Sequence, residues 1–275
     1  MNRWLGHLSP RRRIFVTGLA AALALVVTLV VVTVVRASGS QDAQPTGLGA
    51  AGIPAQNRPG PVLLVPGYGG STSSLSVLAS RIRRSTGREA DVLRLPGNGT
   101  GSLVTDASVL NAAVNRELRG GAPSVDVIGY SAGGVATLLW AQQDGGTHKA
   151  RRVITLGAPF HGAQIASAAE AFVPGACPVA CQQLVPGSSL LSRLDPAGVP
   201  ARPRWLSLWS TDDQTVTPPD SARLAGAVDV PIQSICPAQQ ISHSQLPTNP
   251  VVTAMVLQAI GAGPVRPPTA ADCRA

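Results

Sequence analysis

Six short apolar runs recur along the chain with helix-length segments between them: VLLV at Val62 to Val65, DVLRL at Asp91 to Leu95, VDVIG at Val125 to Gly129, RVITL at Arg152 to Leu156, WLSLW at Trp205 to Trp209, and Val228 to Ile235. Apolar runs of about four to eight residues fit strands buried on both faces, and parallel strands need a helix-length crossover between them. The rhythm predicts an α/β protein with a mostly parallel six-stranded sheet and helices on both faces. The helical patterns are Ser73 to Ser85, Leu103 to Arg119, Ala132 to Gln143, Ser221 to Gly226 and Pro250 to Ile260. With 275 residues, 44% of them hydrophobic, one such domain can bury a core of its own.

That domain is expected over residues 61–262. Ahead of it, Ile14 to Val35 is a run of 22 residues without a charge. As a helix it would span about 33 Å, enough to cross a hydrocarbon core of about 30 Å. Arg11, Arg12 and Arg13 precede the run, which leaves the N-terminus inside and everything after Arg36 outside. Residues 1–36 are therefore expected to be a single-pass anchor with the domain extracytoplasmic. Val35 and Ala37 also form a small-residue cleavage pattern, so secretion after cleavage near Ala37 is the alternative. The paired arginines resemble a twin-arginine signal that lacks its usual leading Ser or Thr. Residues 37–60, rich in Ser, Gly, Gln and Pro, read as a flexible linker.

The net charge of +8 suggests nucleic acid only until it is located. With the five arginines flanking the apolar run set aside, 17 of the 22 basic residues face all 14 acidic ones, a balance of +3. A nearly balanced domain with few aromatics is no nucleic-acid groove, and that partner class is rejected. Nothing in the sequence sets an oligomeric state.

Cys177, Cys181, Cys236 and Cys273 all lie in the exported part, where disulfides persist. Three pairings are open. Cys177 with Cys181 and Cys236 with Cys273 is expected, because it clips a small loop and ties the tail, residues 263–275, to the body. Zinc binding is the alternative, but the spacing fits no common ligand pattern, and no metal is expected. Between His161 and Arg204 the strand and helix rhythm breaks, and a structureless run of that length is commonly a lid. A cap is expected over about 163–203. Its alanines and Phe172, Val173, Val179, Leu184, Val185, Leu190 and Leu191 would lie over the site below.

Gly129-Tyr130-Ser131-Ala132-Gly133 fits G-x-S-x-G directly after one apolar run and before a helical one. A reversal that tight holds the serine in a strained conformation, and Gly129, Ala132 and Gly133 let the turn approach its surroundings. The Ser131 oxygen is then exposed at the C-terminal edge of the sheet, where the amides of the following helix stabilise a developing oxyanion. Ser131 is the candidate nucleophile. A serine needs a base held by a carboxylate, in the chain order Ser, Asp, His for this architecture. His7 precedes the apolar run and His148 lies in a polar loop, which leaves His161 and His243. His243, after the last strand and before the final helix, is the candidate base, with His161 packing beside the site. The end of the fifth run supplies Asp212 and Asp213, both short enough to reach an imidazole. The glycine-rich turn Pro66 to Gly70 lacks a phosphate-loop ending, and its place after the first strand makes it the other half of an oxyanion hole. The donors would be the backbone N–H groups of Tyr68 and Ala132.

Taken together, PGYGGS, GYSAGG, LGAPFHG, STDDQTVTP and ISHSQL resemble the bacterial lipases and esterases of the α/β-hydrolase superfamily, including the actinobacterial secreted ones. The resemblance covers roughly Pro61 to Ile260 and implies a minimal α/β-hydrolase fold with a lid insertion. It also implies Ser131, Asp213 and His243 as a triad, with Tyr68 and Ala132 as oxyanion donors. Asp213 is preferred because Val216 and Pro218 follow it as they follow the acid in many lipases, and Asp212 is then left to the turn. Implied too is cofactor-free hydrolysis of acyl esters, with a lipid or small acyl ester as substrate. Pro66 departs from the histidine that relatives often carry there, which affects a side-chain contact but not the amide. The alternatives are an acyltransferase or thioesterase of the same fold and an inactive anchored binding protein.

Overall fold

The strands follow the apolar runs closely except at DVLRL, where the strand covers only Ala90–Val92 and Leu93 to Leu95 lie beyond it. In the computed structural model, which describes residues 54, 56–172, 175, 177–194, 199, 204–264 and 266–274, the first half of the domain is β1 (Val62–Val65), α1 (Ser73–Thr86), β2 (Ala90–Val92), α2 (Leu103–Arg119), β3 (Val125–Tyr130), α3 (Ala132–Gln143) and β4 (Ala150–Leu156). There follow α4 (Gln164–Phe172), α5 (Val179–Gln183), β5 (Arg204–Trp209), β6 (Val228–Pro231), α6 (Ile232–Ile235) and α7 (Pro250–Ala259). All strand pairs are parallel, in the order β2-β1-β3-β4-β5-β6. The apolar segment Ile14 to Val35 lies outside the described residues. No helix among the described residues is long and apolar enough to cross a membrane.

Alternation along each strand divides the core. Leu63, Val65, Val125, Val127, Val153 and Trp205 pack on one face with Leu110 and Val114 of α2 and Val135 and Leu139 of α3. Val62, Leu64, Ile128, Ile154, Leu206 and Leu208 pack on the other with Leu75, Leu78 and Ile82 of α1 and Val252, Met255 and Val256 of α7. Both faces of every central strand are covered, which is why the runs read as continuous apolar stretches. α3 is buried over ten consecutive positions, Ala132 to Ala141, the signature of a helix sunk in the core.

Three further expectations need correction. The run Val228 to Ile235 is not one strand: it stops at Pro231, whose ring denies a ladder donor, and turns into α6. Ser221 to Gly226 is no helix, because the chain makes a single 3₁₀ turn, Pro219–Ala222, and is extended at Arg223. The linker expected over 37–60 ends early. Gln56 and Gly60 accept hydrogen bonds from Arg151 and Arg88, Ser124 Oγ donates to the Arg58 carbonyl, and the Gly60 amide donates to Ser124 Oγ.

These contacts belong to a charged cluster in the lower half of the sheet that the sequence reading missed. Asp126 is fully buried between Arg151, also fully buried, and Arg88, at 2.5 and 2.6 Å. Arg88 and Arg151 both donate to the Ile260 carbonyl, which ends α7. The Asp126 carboxylate supplies the counter-charge, and the carbonyls of Gln56, Gly60, Ile260 and Gly261 satisfy the remaining donors of guanidinium groups that would be costly to bury alone.

The disulfides are Cys177–Cys181 and Cys236–Cys273, the latter holding the C-terminal turn Ala270–Arg274. Such bonds are the chemistry of an oxidising compartment.

Candidate active site

Sheet order reverses between β1 and β3, so the turns leaving these two adjacent strands open a crevice at their C-terminal ends. Ser131 stands at that crevice with φ 54° and ψ −129°, a left-handed conformation that costs a non-glycine residue about 1–3 kcal/mol and persists only where packing dictates it. The surroundings do dictate it. A Cβ on Gly133 would meet the carbonyl oxygens of Val65 and Pro66 at 2.4 Å, and one on Gly134 would meet the Cβ of Ala158 at 2.3 Å. The Ser131 amide donates to the Leu156 carbonyl at 2.9 Å, tying the turn to β4. Gly67 lies so close that a Cβ there would be 2.8 Å from the Ser131 Cβ.

Asp213 follows β5. One of its carboxylate oxygens, Oδ1, accepts from the amides of Thr215 and Val216, each at 2.8 Å, so the backbone aims the other oxygen. That other oxygen, Oδ2, lies 2.6 Å from His243 Nδ1. His243 opens a 3₁₀ turn, His243–Gln245, fixed by a capping box between Ser242 and Gln245. Its Nε2 is 2.9 Å from Ser131 Oγ. A carboxylate only accepts, so Nδ1 carries the proton and donates to Asp213, and Nε2 of the neutral ring accepts from the serine hydroxyl. Asp213 and His243 are buried, which strengthens both bonds relative to water.

The other candidates fall elsewhere. Asp212 is exposed and accepts from the Gln233 side chain at 3.1 Å. His161 is exposed, with Nδ1 donating to the Ser221 carbonyl at 3.0 Å. Ala132 opens α3, so its amide has no acceptor within the helix. Tyr68 lies in the turn closed by the Gly70 amide on the Gly67 carbonyl, and its side chain is 44% exposed beside Ser131.

Two residues at the site had no role assigned from sequence. Gly157 follows β4 with φ +56°, and a Cβ there would stand 3.2 Å from His243 Nδ1 and 3.3 Å from Asp213 Oδ2. The signal was its place at a strand end within LGAPFHG. Tyr130 stacks on the His243 ring, and its hydroxyl donates to the His243 carbonyl at 3.2 Å. Burial, reinforced by the negative charge of Asp213, pushes the Tyr130 phenol from 10.0 up to about 12.

Ser131 opens onto a cavity of about 300 Å³. Its walls are largely apolar: Ala163, Ile165, Ala166 and Ala169 from the start of the 163–203 segment, Leu184 beyond α5, and Val216. Of the residues expected in the cap, only part reaches it. Leu190 and Leu191 are buried in the core instead, Val179 is 48% exposed, and Val173 and the Phe172 side chain lie outside the described residues.

No known family's sequence profile matches this chain, and no curated protein matches it. Solved structures do. Aspergillus fumigatus lipase B aligns with a TM-score of 0.64 at 18% identity, over 80% of this chain and 56% of its own. Bacillus licheniformis lipase BlEst2 aligns in its mature form with a TM-score of 0.51 at 19% identity, over 64% and 84% of the two chains. Its propeptide form gives 0.58 at 20%, over 78% and 53%. The chain thus spans a little over half the length of the Aspergillus protein. At these identities the likeness is one of fold, and the fold is that of the α/β-hydrolases.

Proposed function

We propose that the chain is a carboxylic ester hydrolase, specifically a lipase for acyl chains of medium length. The observation that carries this reading is the hydrogen-bonded series Ser131, His243, Asp213 opening onto an apolar cavity. Ser131 Oγ attacks the ester carbonyl carbon while His243 Nε2 takes its proton, and Asp213 holds the imidazolium that forms. The amides of Tyr68 and Ala132 hold the oxyanion. His243 then returns the proton to the departing alkoxide, leaving an acyl-serine. Water attacks the acyl carbon, its proton passes to Nε2, and the collapse releases the acid and restores Ser131.

A volume of about 300 Å³ sits at the small end of ligand pockets, which run from about 300 to 1,000 Å³. An acyl chain filling it gains about 0.8 kcal/mol per buried methylene, close to fourfold in kcat/KM, until the cavity is full. Membrane attachment through Ile14 to Val35 would keep the site near lipid.

The test is kcat/KM for p-nitrophenyl esters from acetate to palmitate on the full chain. The expected profile rises from acetate to a maximum at medium length. A steady fall from acetate onward refutes the lipase reading. Failure of a fluorophosphonate probe to label wild-type protein, or labelling that survives Ser131→Ala, refutes the hydrolase reading itself.

A further inference from the structure

His243 has to satisfy two demands from a slender support. Its ring must stay within reach of Ser131 on one side and Asp213 on the other, yet its backbone belongs to a three-residue 3₁₀ turn in a loop. The capping box of Ser242 and Gln245 closes that turn on itself but does not tie it to the sheet. Leu246, at the end of the turn, packs into the core with Leu156 and Leu208, but the polar link to the sheet comes from Tyr130, the residue immediately before Ser131. Its hydroxyl donates to the His243 carbonyl at 3.2 Å, and that carbonyl also accepts from the Leu246 amide at 3.2 Å. Its ring stacks on the imidazole, centroids 5.1 Å apart and planes inclined by 30°. One side chain therefore holds both the backbone and the ring of His243, from the last residue of the strand that leads into Ser131.

We propose that Tyr130 is a positioning residue for His243, fixing the base relative to Ser131 and favouring the imidazolium that forms in the reaction. This rests on the hydrolase reading above. The first effect follows from the contacts: with the hydroxyl bond lost, the turn keeps its internal closure but can shift relative to β3, and a displacement near 1 Å lengthens the Nε2 to Oγ approach on which proton transfer depends. The second follows from the electronics of a phenol ring, whose negative face attracts a cation lying against it. Buried beside Asp213, the phenol keeps its proton through the neutral and mildly alkaline range, so the donor is always in place.

The two effects separate by substitution. Tyr130→Phe keeps the ring and removes the donor, and a net hydrogen bond of this kind predicts a fall in kcat of about 3- to 10-fold. Tyr130→Leu removes both and should lose about 10- to 100-fold, with KM within twofold of wild type in each case. A role in packing alone would lower the melting temperature without splitting kcat from KM. The rate of Ser131 labelling by a fluorophosphonate should fall in the same order, and it reads nucleophile activation even if the natural ester is never found. The imidazole proton resonances of His243 give an activity-free readout: the stacked ring shifts them upfield, an effect kept in Tyr130→Phe and lost in Tyr130→Leu. Should Tyr130→Leu fail to fold, Tyr130→Phe still decides. Unchanged kcat and labelling rate in Tyr130→Phe, or a loss confined to KM, overturns the proposal. A wild-type chain that takes up no probe, with the His243 ring shift present, instead sinks the hydrolase reading and leaves the stacking contact standing.

Discussion

Gly133→Ala tests how tightly the turn at Ser131 is wedged against β1. The new methyl carbon would start 2.4 Å from two carbonyl oxygens, those of Val65 and Pro66, and 2.8 Å from the Val65 carbonyl carbon. Ordinary contact begins near 3.4 Å, so something must retreat by about 1 Å, and neither neighbour is the flexible end of a side chain. α3 cannot retreat easily, being buried over ten positions. The end of β1 must then move, and with it the turn that carries Gly67 and Tyr68 against Ser131. Overpacking of this kind costs about 1–3 kcal/mol. At about 2–4 °C per kcal/mol for a domain of this size, the melting temperature should fall by roughly 3–10 °C. Displacing the Tyr68 amide by a comparable distance should lower kcat by about 100-fold. Gly101→Ala is the control: a Cβ there meets nothing within 4 Å, and the expected change is within about 0.5 kcal/mol. Thermal unfolding and ester hydrolysis on the three proteins decide the matter. A Gly133→Ala protein within 2 °C of wild type and within about threefold in kcat would refute the reasoning.

Asp213→Asn should lower kcat by about 10³- to 10⁴-fold by removing the acceptor that fixes the His243 tautomer, whereas Asp212→Asn, at an exposed side chain that accepts from Gln233, should stay within a few fold. If steady-state kinetics show Asp212→Asn as the costlier change, the placement of the acid is wrong. Burial pushes the Asp106 carboxyl in the first turn of α2 from 3.8 up to about 6, so its favourable, protonated state is complete below pH 3.8 and lost as pH rises through about 6. Denaturant unfolding between pH 4 and pH 7 should therefore show wild type losing roughly 2 kcal/mol that Asp106→Asn does not lose, and parallel profiles would refute this. Asp126→Asn leaves the buried Arg151 guanidinium without its counter-charge and should cost about 3–5 kcal/mol, with kcat of the folded protein unchanged. A loss below 1 kcal/mol in the same unfolding assay would show that the carbonyls alone satisfy Arg151.

The strands were legible where burial on both faces left no polar residue to blur the run. VLLV at 62–65 is a strand from end to end for that reason. Legibility failed where an apolar composition outlasted the geometry. In VDVPIQSI the composition stays strand-like through Ile235, but Pro231 ends the ladder and the following residues coil. The Ser221 to Gly226 stretch has helical composition, yet its amides are engaged elsewhere: the Ser221 amide donates to Pro218 in a 3₁₀ turn and the Arg223 amide to Asp220, before Gly226 adopts φ +82°. The Asp126 cluster was invisible because its members are separated by 25 and 38 residues, and a lone aspartate in an apolar strand carries no sign of its partner.

The site divides along the same line, and the division explains why parts of it could be read. Each of the three central groups is set by a local device with a sequence signature: a left-handed serine between small residues, an aspartate folded back on the amides two and three positions ahead, and a histidine at the head of a Ser-x-x-Gln capped turn. Devices of that kind are spelled within five residues, so a single chain displays them. What holds the groups in register with one another is not local. Tyr130 reaches His243 across 113 residues, and Gly157 is needed both for its φ of +56° and because the side chains of Leu246, His243 and Asp213 press against the space where a Cβ would be. Neither follows from periodicity or spacing, since a tyrosine within G-x-S-x-G and a glycine after a strand are each unremarkable alone. It follows that substitutions at the locally encoded residues should abolish the chemistry outright, while those at Tyr130 and Gly157 should leave all three groups present and degrade their alignment. The distinguishing trait of the second class is a reduced kcat with an intact Ser131 that the fluorophosphonate still labels, only more slowly.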